Sequence, residues 1–229
     1  MFNLTAIDRK KSIFDRISMA SIFKPKSSRV NYINLDLDNL QLDTFCIKPR
    51  SLEDLVKNTK FTKRELKIMY RGFKQECPNG VMDINKFIQI YKSFFPQGNA
   101  EPYACHIHRT MLKRNDNPIT FDKLVTELSV LTYGSPAEKL EWVFDLYDVQ
   151  KYGYICKKDF LDVVHSIYQL LGERANPPVT KSNIIEHANS IFEKLDINCD
   201  DEISIEEFKS AYMDDSQFLV NIQALSTHL

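Results

Sequence analysis

No stretch of this 229-residue chain stays apolar for the ~20 residues a helix needs to cross a bilayer, so no membrane span is expected. Net charge is equally scarce. Thirty Lys and Arg stand against 31 Asp and Glu, a formal balance of −1, so bulk charge gives little hold on nucleic acid. The five cysteines (46, 77, 105, 156 and 199) are odd in number, lack the paired spacing of a metal-ligand set, and follow no secretory signal. Free thiols in a reducing, cytoplasmic compartment are therefore expected. The six glycines build no phosphate-cradling loop, and no nucleophile motif is present. His106, His108, His165, His187 and His228 form no catalytic constellation, so no enzyme is expected. Phe2 stands where N-myristoylation requires glycine.

What the chain does have is oxygen at regular spacing. From Asp196 to Glu207, side-chain oxygens fall on Asp196, Asn198, Asp200 and Ser204, at positions 1, 3, 5 and 9 of a twelve-residue segment. Glu202 offers its backbone carbonyl at position 7 and Glu207 closes position 12. Calcium takes six to eight oxygen ligands, and this spacing wraps a short loop around one ion, as in an EF-hand. Asp201 occupies position 6, where the backbone normally turns through glycine. Aspartate tolerates the left-handed region better than most residues, so the turn is expected to survive. The expected ligands are Asp196, Asn198, Asp200, Glu202 and Glu207.

Three weaker copies precede this loop. KQECPNGVMDINK lies between Phe73 and Phe87, LKRNDNPITFDK between Met111 and Leu124, and DVQKYGYICKKD between Tyr147 and Phe160. Their turn positions fall on Gly80, Asn117 and Gly153, and their strand positions on Met82, Ile119 and Ile155, matching Asp201 and Ile203 in the last copy. The first two loops end in Lys86 and Lys123 and lack acids where an ion needs them, so both are expected to be metal-free. The third keeps Asp148 at position 1 but has Gln150 and Tyr152 at 3 and 5, and the shorter Asp159 at 12; Tyr154 can still offer a carbonyl. With so few charged ligands, it is expected to be empty or to hold magnesium weakly.

Helical periodicity dominates after residue 60. Thr62 and Glu65 form a capping-box pattern opening a helix to about Phe73. Further helices are predicted over 83–94, 103–111, 121–131, 138–147, 157–171, 181–195 and 204–213, with linkers over 97–102 and 172–180 and an apolar stretch over 217–225. The predicted fold is all-α: four EF-hands in two pairs, with short two-stranded β contacts between paired loops. Residues 1–50 read as a separate basic tail, 51–134 as a pair with degenerate loops, and 135–229 as a second pair with a final helix. In the tail, seven Lys and Arg between residues 9 and 29 face one acid, Asp15, and are interleaved with Ile13, Phe14, Ile17, Met19, Ile22 and Phe23. Two readings stand: contact with an anionic membrane surface, or a variable tail that solubilises the protein.

The segments FTKRELKIMYRGFKQECPNG (61–80), IYKSFFPQGNAEPYA (90–104) and EKLEWVFDLYD (138–148) resemble the neuronal calcium sensor family, and are most similar to its potassium-channel-interacting (KChIP) branch. The Cys77-Pro78 pair and the aromatic run Phe94-Phe95-Pro96 carry the likeness. The resemblance implies a hydrophobic groove that holds the cytoplasmic N-terminal helix of A-type voltage-gated potassium channel subunits. In this chain Phe73, Phe87, Ile90, Tyr91, Phe94, Leu128 and Leu131 would line it, with Phe218 and Leu219 on a mobile last helix. The branch commonly keeps competent third and fourth loops; here only the fourth is expected to be competent. A calcium-responsive regulatory subunit is the leading expectation, acting at the plasma membrane through its target. A calcium-independent adaptor and, less favoured, a calcium-released DNA-binding regulator are the alternatives.

Overall fold

In the computed structural model, residues 49–112, 118–172 and 181–214 are described. The tail, Asn117 of the second loop, most of the predicted 172–180 linker, and Phe218 and Leu219 lie outside them.

Nine helices and four short strands occur among the described residues: α1 (Leu52–Asn58), α2 (Lys63–Glu76), β1 (Val81–Met82), α3 (Ile84–Phe94), α4 (Glu101–Leu112), β2 (Ile119–Thr120), α5 (Phe121–Tyr133), α6 (Pro136–Tyr147), β3 (Tyr154–Cys156), α7 (Lys157–Leu171), α8 (Lys181–Leu195), β4 (Glu202–Ser204) and α9 (Ile205–Asp214). The all-α architecture expected from the sequence is present. Each pair of hands is joined by an antiparallel ribbon between its loops. Met82 faces Ile119 across β1–β2, and Ile155 faces Ile203 across β3–β4. Residues 82, 119, 155 and 203 are those assigned from sequence to the strand position of the four loops. All four are buried, so each ribbon is anchored by apolar contact as well as by backbone hydrogen bonds.

The helix starts follow local chemistry. At α2, the Thr62 hydroxyl accepts from the Glu65 N–H while the Glu65 carboxylate accepts from the Thr62 N–H, completing the capping box. Ser135 and Glu138 repeat the arrangement at α6, where Pro136 fills the first turn without losing a needed donor. Several elements differ from the sequence reading, among them the following. Helix α2 continues past Phe73 to Glu76. Helix α4 begins at Glu101 rather than 103, because Pro102 is tolerated in a first turn, so the preceding linker is shorter. Helix α1 was not expected; it spans seven residues, is capped by Ser51 and buries only Leu55, so it carries too little apolar periodicity to stand out.

One apolar cluster runs through both pairs. Phe73 meets Phe121 at 5.5 Å between ring centroids in the first pair, Phe160 meets Phe192 at 5.6 Å in the second, and Phe144 meets Phe208 at 5.7 Å. The pairs touch where α4 packs on α7 and α5 on α6. At the second seam, the Trp142 indole N–H donates to the buried Glu127 carboxylate at 3.0 Å. Trp142→Phe keeps a ring in that space but removes the donor. It is expected to cost about 1–3 kcal/mol of unfolding free energy, the range for removing one partner of a buried polar group. Urea unfolding followed by circular dichroism measures it, since the substitution removes the chain's single tryptophan.

Candidate metal centre

Helix α8 delivers Asp196 to the fourth loop, and α9 begins two residues before Glu207. The Asp196 carboxylate is buried and closes the first turn, its two oxygens accepting from the N–H groups of Asp200 at 3.1 Å and Asp201 at 3.0 Å. That turn places Cys199 and Asp201 in the left-handed region, at φ 60° and 62°. Asp201 therefore adopts the backbone expected of glycine at position 6. Asn198 Oδ1 also accepts from Asp200 N–H at 3.1 Å, and Asn198 Nδ2 donates to Asp200 Oδ2 at 2.8 Å. The Glu202 N–H, at the start of β4, donates to Asp200 Oδ1 at 3.0 Å.

Glu207 spans the loop. Its Oε1 accepts from the N–H groups of Ile197 and Asn198 at 3.1 and 3.2 Å. Its Oε2 accepts from the Ser204 N–H at 2.9 Å and hydroxyl at 2.7 Å, and the Glu207 N–H returns a bond to Ser204 Oγ at 3.2 Å. The reciprocal Ser204–Glu207 bonds are a capping box for α9, so one carboxylate closes the loop and caps the helix that follows. Partial burial alone would raise the Glu207 carboxyl, but the hydrogen bonds from Ser204, Asn198 and Ile197 outweigh it and hold its pKa below the ordinary carboxylate value.

The donors fit a hard divalent cation. Asp196, Asp200 and Glu207 supply carboxylates, Asn198 an amide oxygen and Glu202 a carbonyl, and the turn is already formed. In this conformation the three carboxylates hold backbone N–H groups, and no three acidic, histidine or cysteine side chains converge on one point among the described residues. To ligate an ion, Glu207 must exchange its loop hydrogen bonds and share or surrender its hold on Ser204.

The third loop has the same entry turn. Asp148, also buried, accepts from Tyr152 N–H at 3.0 Å and Gly153 N–H at 2.9 Å, and Lys151 and Gly153 take the positive φ values, 59° and 92°. The difference lies at position 12. Asp159 is buried in the first turn of α7, one methylene shorter than Glu207, and makes no hydrogen bond to the opening of its loop among the described residues. Tyr154 stands in β3. Thus Asp148 and the turn are in place, while closure at Asp159 is missing. Gln150 is exposed.

The first two loops are closed differently. Lys86, at position 12 of the first, pairs with Glu76 at 2.5 Å. Lys123, at position 12 of the second, donates to the Leu112 carbonyl at 2.9 Å. Cationic residues were expected to repel an ion there; what the sequence reading missed is that each ammonium bonds back to the start of its own loop. Lysine at the same position of both loops was the available signal.

Residues 137–213 match the family model of the EF-hand domain pair. This span holds the third and fourth loops, and with them the frame of calcium-binding regulatory proteins. Of the candidate groove residues, Phe218 and Leu219 lie outside the described residues and the others lie in the first pair. Phe73, Phe87, Tyr91, Leu128 and Leu131 are buried in the core, whereas Ile90 and Phe94, one turn apart on α3, are partly buried against it.

Proposed function

We propose that this chain is a calcium-responsive regulatory subunit that binds an amphipathic helix of a membrane target, of the kind carried by the cytoplasmic N-termini of A-type potassium channels. The observation that carries the calcium part is the fourth loop: Asp196, Asn198, Asp200, Glu202 and Glu207 stand along one twelve-residue loop whose entry turn is formed, and Glu207 is shared with the cap of α9. Binding there changes the start of α9, whose remainder leads toward the segment holding Phe218 and Leu219. A local change at a loop is thereby transmitted to a helix. The third loop, with Asp148 in place and Asp159 short, is a weak or magnesium-preferring site in this reading.

The target part rests on the resemblance of residues 61–80, 90–104 and 138–148. An amphipathic helix laid in a groove buries its apolar stripe against such residues. Ile90 and Phe94 are the natural first contacts, since they are only partly buried; Phe73, Phe87, Tyr91, Leu128 and Leu131 are reached when the helices part. The protein would then sit in the cytoplasm and meet the plasma membrane through its target, with the basic tail as a further contact.

Calorimetric titration with a synthetic peptide of an A-type channel N-terminal helix, in calcium and in chelator, tests this. Tighter binding in calcium, weakened by Ile90→Ser together with Phe94→Ser, is the expected result. Equal affinity in both conditions would mean a calcium-independent adaptor, a reading that the lysine closure of the first two loops favours. No binding in either condition would remove this target class.

A further inference from the structure

The first two loops carry no carboxylate at position 1 or position 12, yet the described residues of the pair they belong to pack as a pair. Ribbon β1–β2 is in register, and Phe73, Met82, Ile119 and Phe121 are buried. In a loop of this type, an ion joins the end of the incoming helix to the start of the outgoing one through carboxylates at positions 1 and 12. Something must hold those ends where no ion is bound. We infer that Lys86 and Lys123 are built-in cations that close the first two loops and hold the N-terminal pair in one conformation whether calcium is present or absent.

The geometry is the same in kind at both places. Each lysine stands at position 12, in the first turn of the outgoing helix. Lys86 reaches the Glu76 carboxylate, which ends α2 at position 2 of its loop. Lys123 reaches the carbonyl of Leu112, which ends α4 at position 1. The polarity of an ordinary site is inverted: the ion's positive charge is carried on a side chain, and the oxygens come from the incoming helix. The carbonyls of a helix's last turn have no partner within the helix, so an ammonium at Leu112 both satisfies one and complements the negative end of the helix dipole. Around Lys86, the Glu76 hydrogen bond and the nearby charges of Glu76 and Asp83 hold the ammonium in its charged form. Within the same loop, Lys74 adds a second ammonium bond, to the Pro78 carbonyl.

A tethered cation differs from a bound one in a way that matters for regulation. Its effective concentration at the loop is fixed by the chain, so the closure does not depend on free calcium. This inference stands apart from the proposed target and from the affinity of the fourth loop.

Hydrogen exchange on the full chain in chelator tests it. Lys86→Met combined with Lys123→Met keeps both aliphatic stems and removes both charges. Amides of β1 and β2 are expected to exchange about tenfold faster, reporting easier local opening. Lys86→Arg with Lys123→Arg keeps the charges and is expected to retain most of the protection. In the wild type, protection of β1–β2 is expected to be equal in calcium and in chelator. Unchanged exchange in the methionine variant would mean the lysines act through their stems alone, and a calcium-induced rise of protection in wild-type β1–β2 would mean that an ion closes these loops; either overturns the inference. Should the double variant not fold, Glu76→Ala removes the acceptor of one closure from its other, more exposed end, with faster exchange in β1 expected and unchanged exchange counting against it. Absence of calcium binding anywhere in the chain would defeat the regulatory reading but leave this one untouched.

Discussion

Glu207→Gln is expected to lower the calcium affinity of this protein about a hundredfold, a loss of ~2.7 kcal/mol. The variant removes a full negative charge, and a neutral amide offers one oxygen where the carboxylate offered two. Helix α9 is expected to survive, because glutamine serves at the third position of a capping box as glutamate does. Glu207→Ala removes the ligand and the cap together and is expected to lower the thermal midpoint in chelator as well. Calorimetric titration gives the first comparison and thermal unfolding in chelator the second. Unchanged affinity in Glu207→Gln would show that the fourth loop is not the site.

The same residue gives the fourth hand a pH dependence with a definite sign. Glu207 is ordinarily ionised above its usual pKa of 4.5, and the folded loop holds it lower. A carboxyl with a depressed folded pKa contributes stability that is complete above the unfolded value and is lost as pH falls through the folded one. The stability difference between wild type and Glu207→Gln in chelator is therefore expected to shrink below about pH 4.5. Acid and calcium act on one carboxylate, the first by neutralising it and the second by taking it from Ser204, Ile197 and Asn198.

Local pattern made much of this fold legible. Apolar spacing marked most helices, Thr62 with Glu65 marked a start, and residues 82, 119, 155 and 203 marked the strands, because each depends on neighbours a few positions away. Asp201 was legible as well: its position in the loop demanded a left-handed backbone, and it has one. Features set by distant parts of the chain were not. The Glu127–Trp142 bond joins two helices across the seam between pairs, and no periodicity encodes it. Lys86 and Lys123 could be read as the wrong charge for an ion, but not as partners for Glu76 and Leu112, because that needs the loop closed in space. The shared role of Glu207 was written in Ser204-Ile205-Glu206-Glu207, a capping-box pattern hidden inside a stronger loop pattern.

Gly98 belongs to the same non-local class, and Gly98→Ala is expected to cost more than about 3 kcal/mol, at or beyond the upper range for overpacking. A Cβ built there would lie 1.9 Å from the Leu170 carbonyl oxygen, 2.5 Å from its carbon and 2.8 Å from the Gln169 carbonyl oxygen. These are backbone atoms at the end of α7, so no side-chain rotation relieves the clash. Nearby, the Asn99 N–H donates to the Gln169 carbonyl at 2.8 Å, so the linker between the first two hands caps the exit helix of the third. From the other side, a Cβ at Gly172 would meet the Gln97 carbonyl at 2.5 Å, and Gly172 has φ 54°. Two glycines thus let two backbones cross. Gly153→Ala is the contrasting case: its added Cβ meets nothing within 4 Å, and only φ 92° opposes it. Its expected cost is the left-handed penalty alone, roughly 1–2 kcal/mol. Urea unfolding of both variants in chelator measures the difference. Similar losses would mean that the crossing relaxes easily. A much larger loss at Gly98 would mean that the end of α7 is fixed to the linker, so that any calcium-driven movement of α7 must carry the first pair of hands with it or break the Asn99–Gln169 bond.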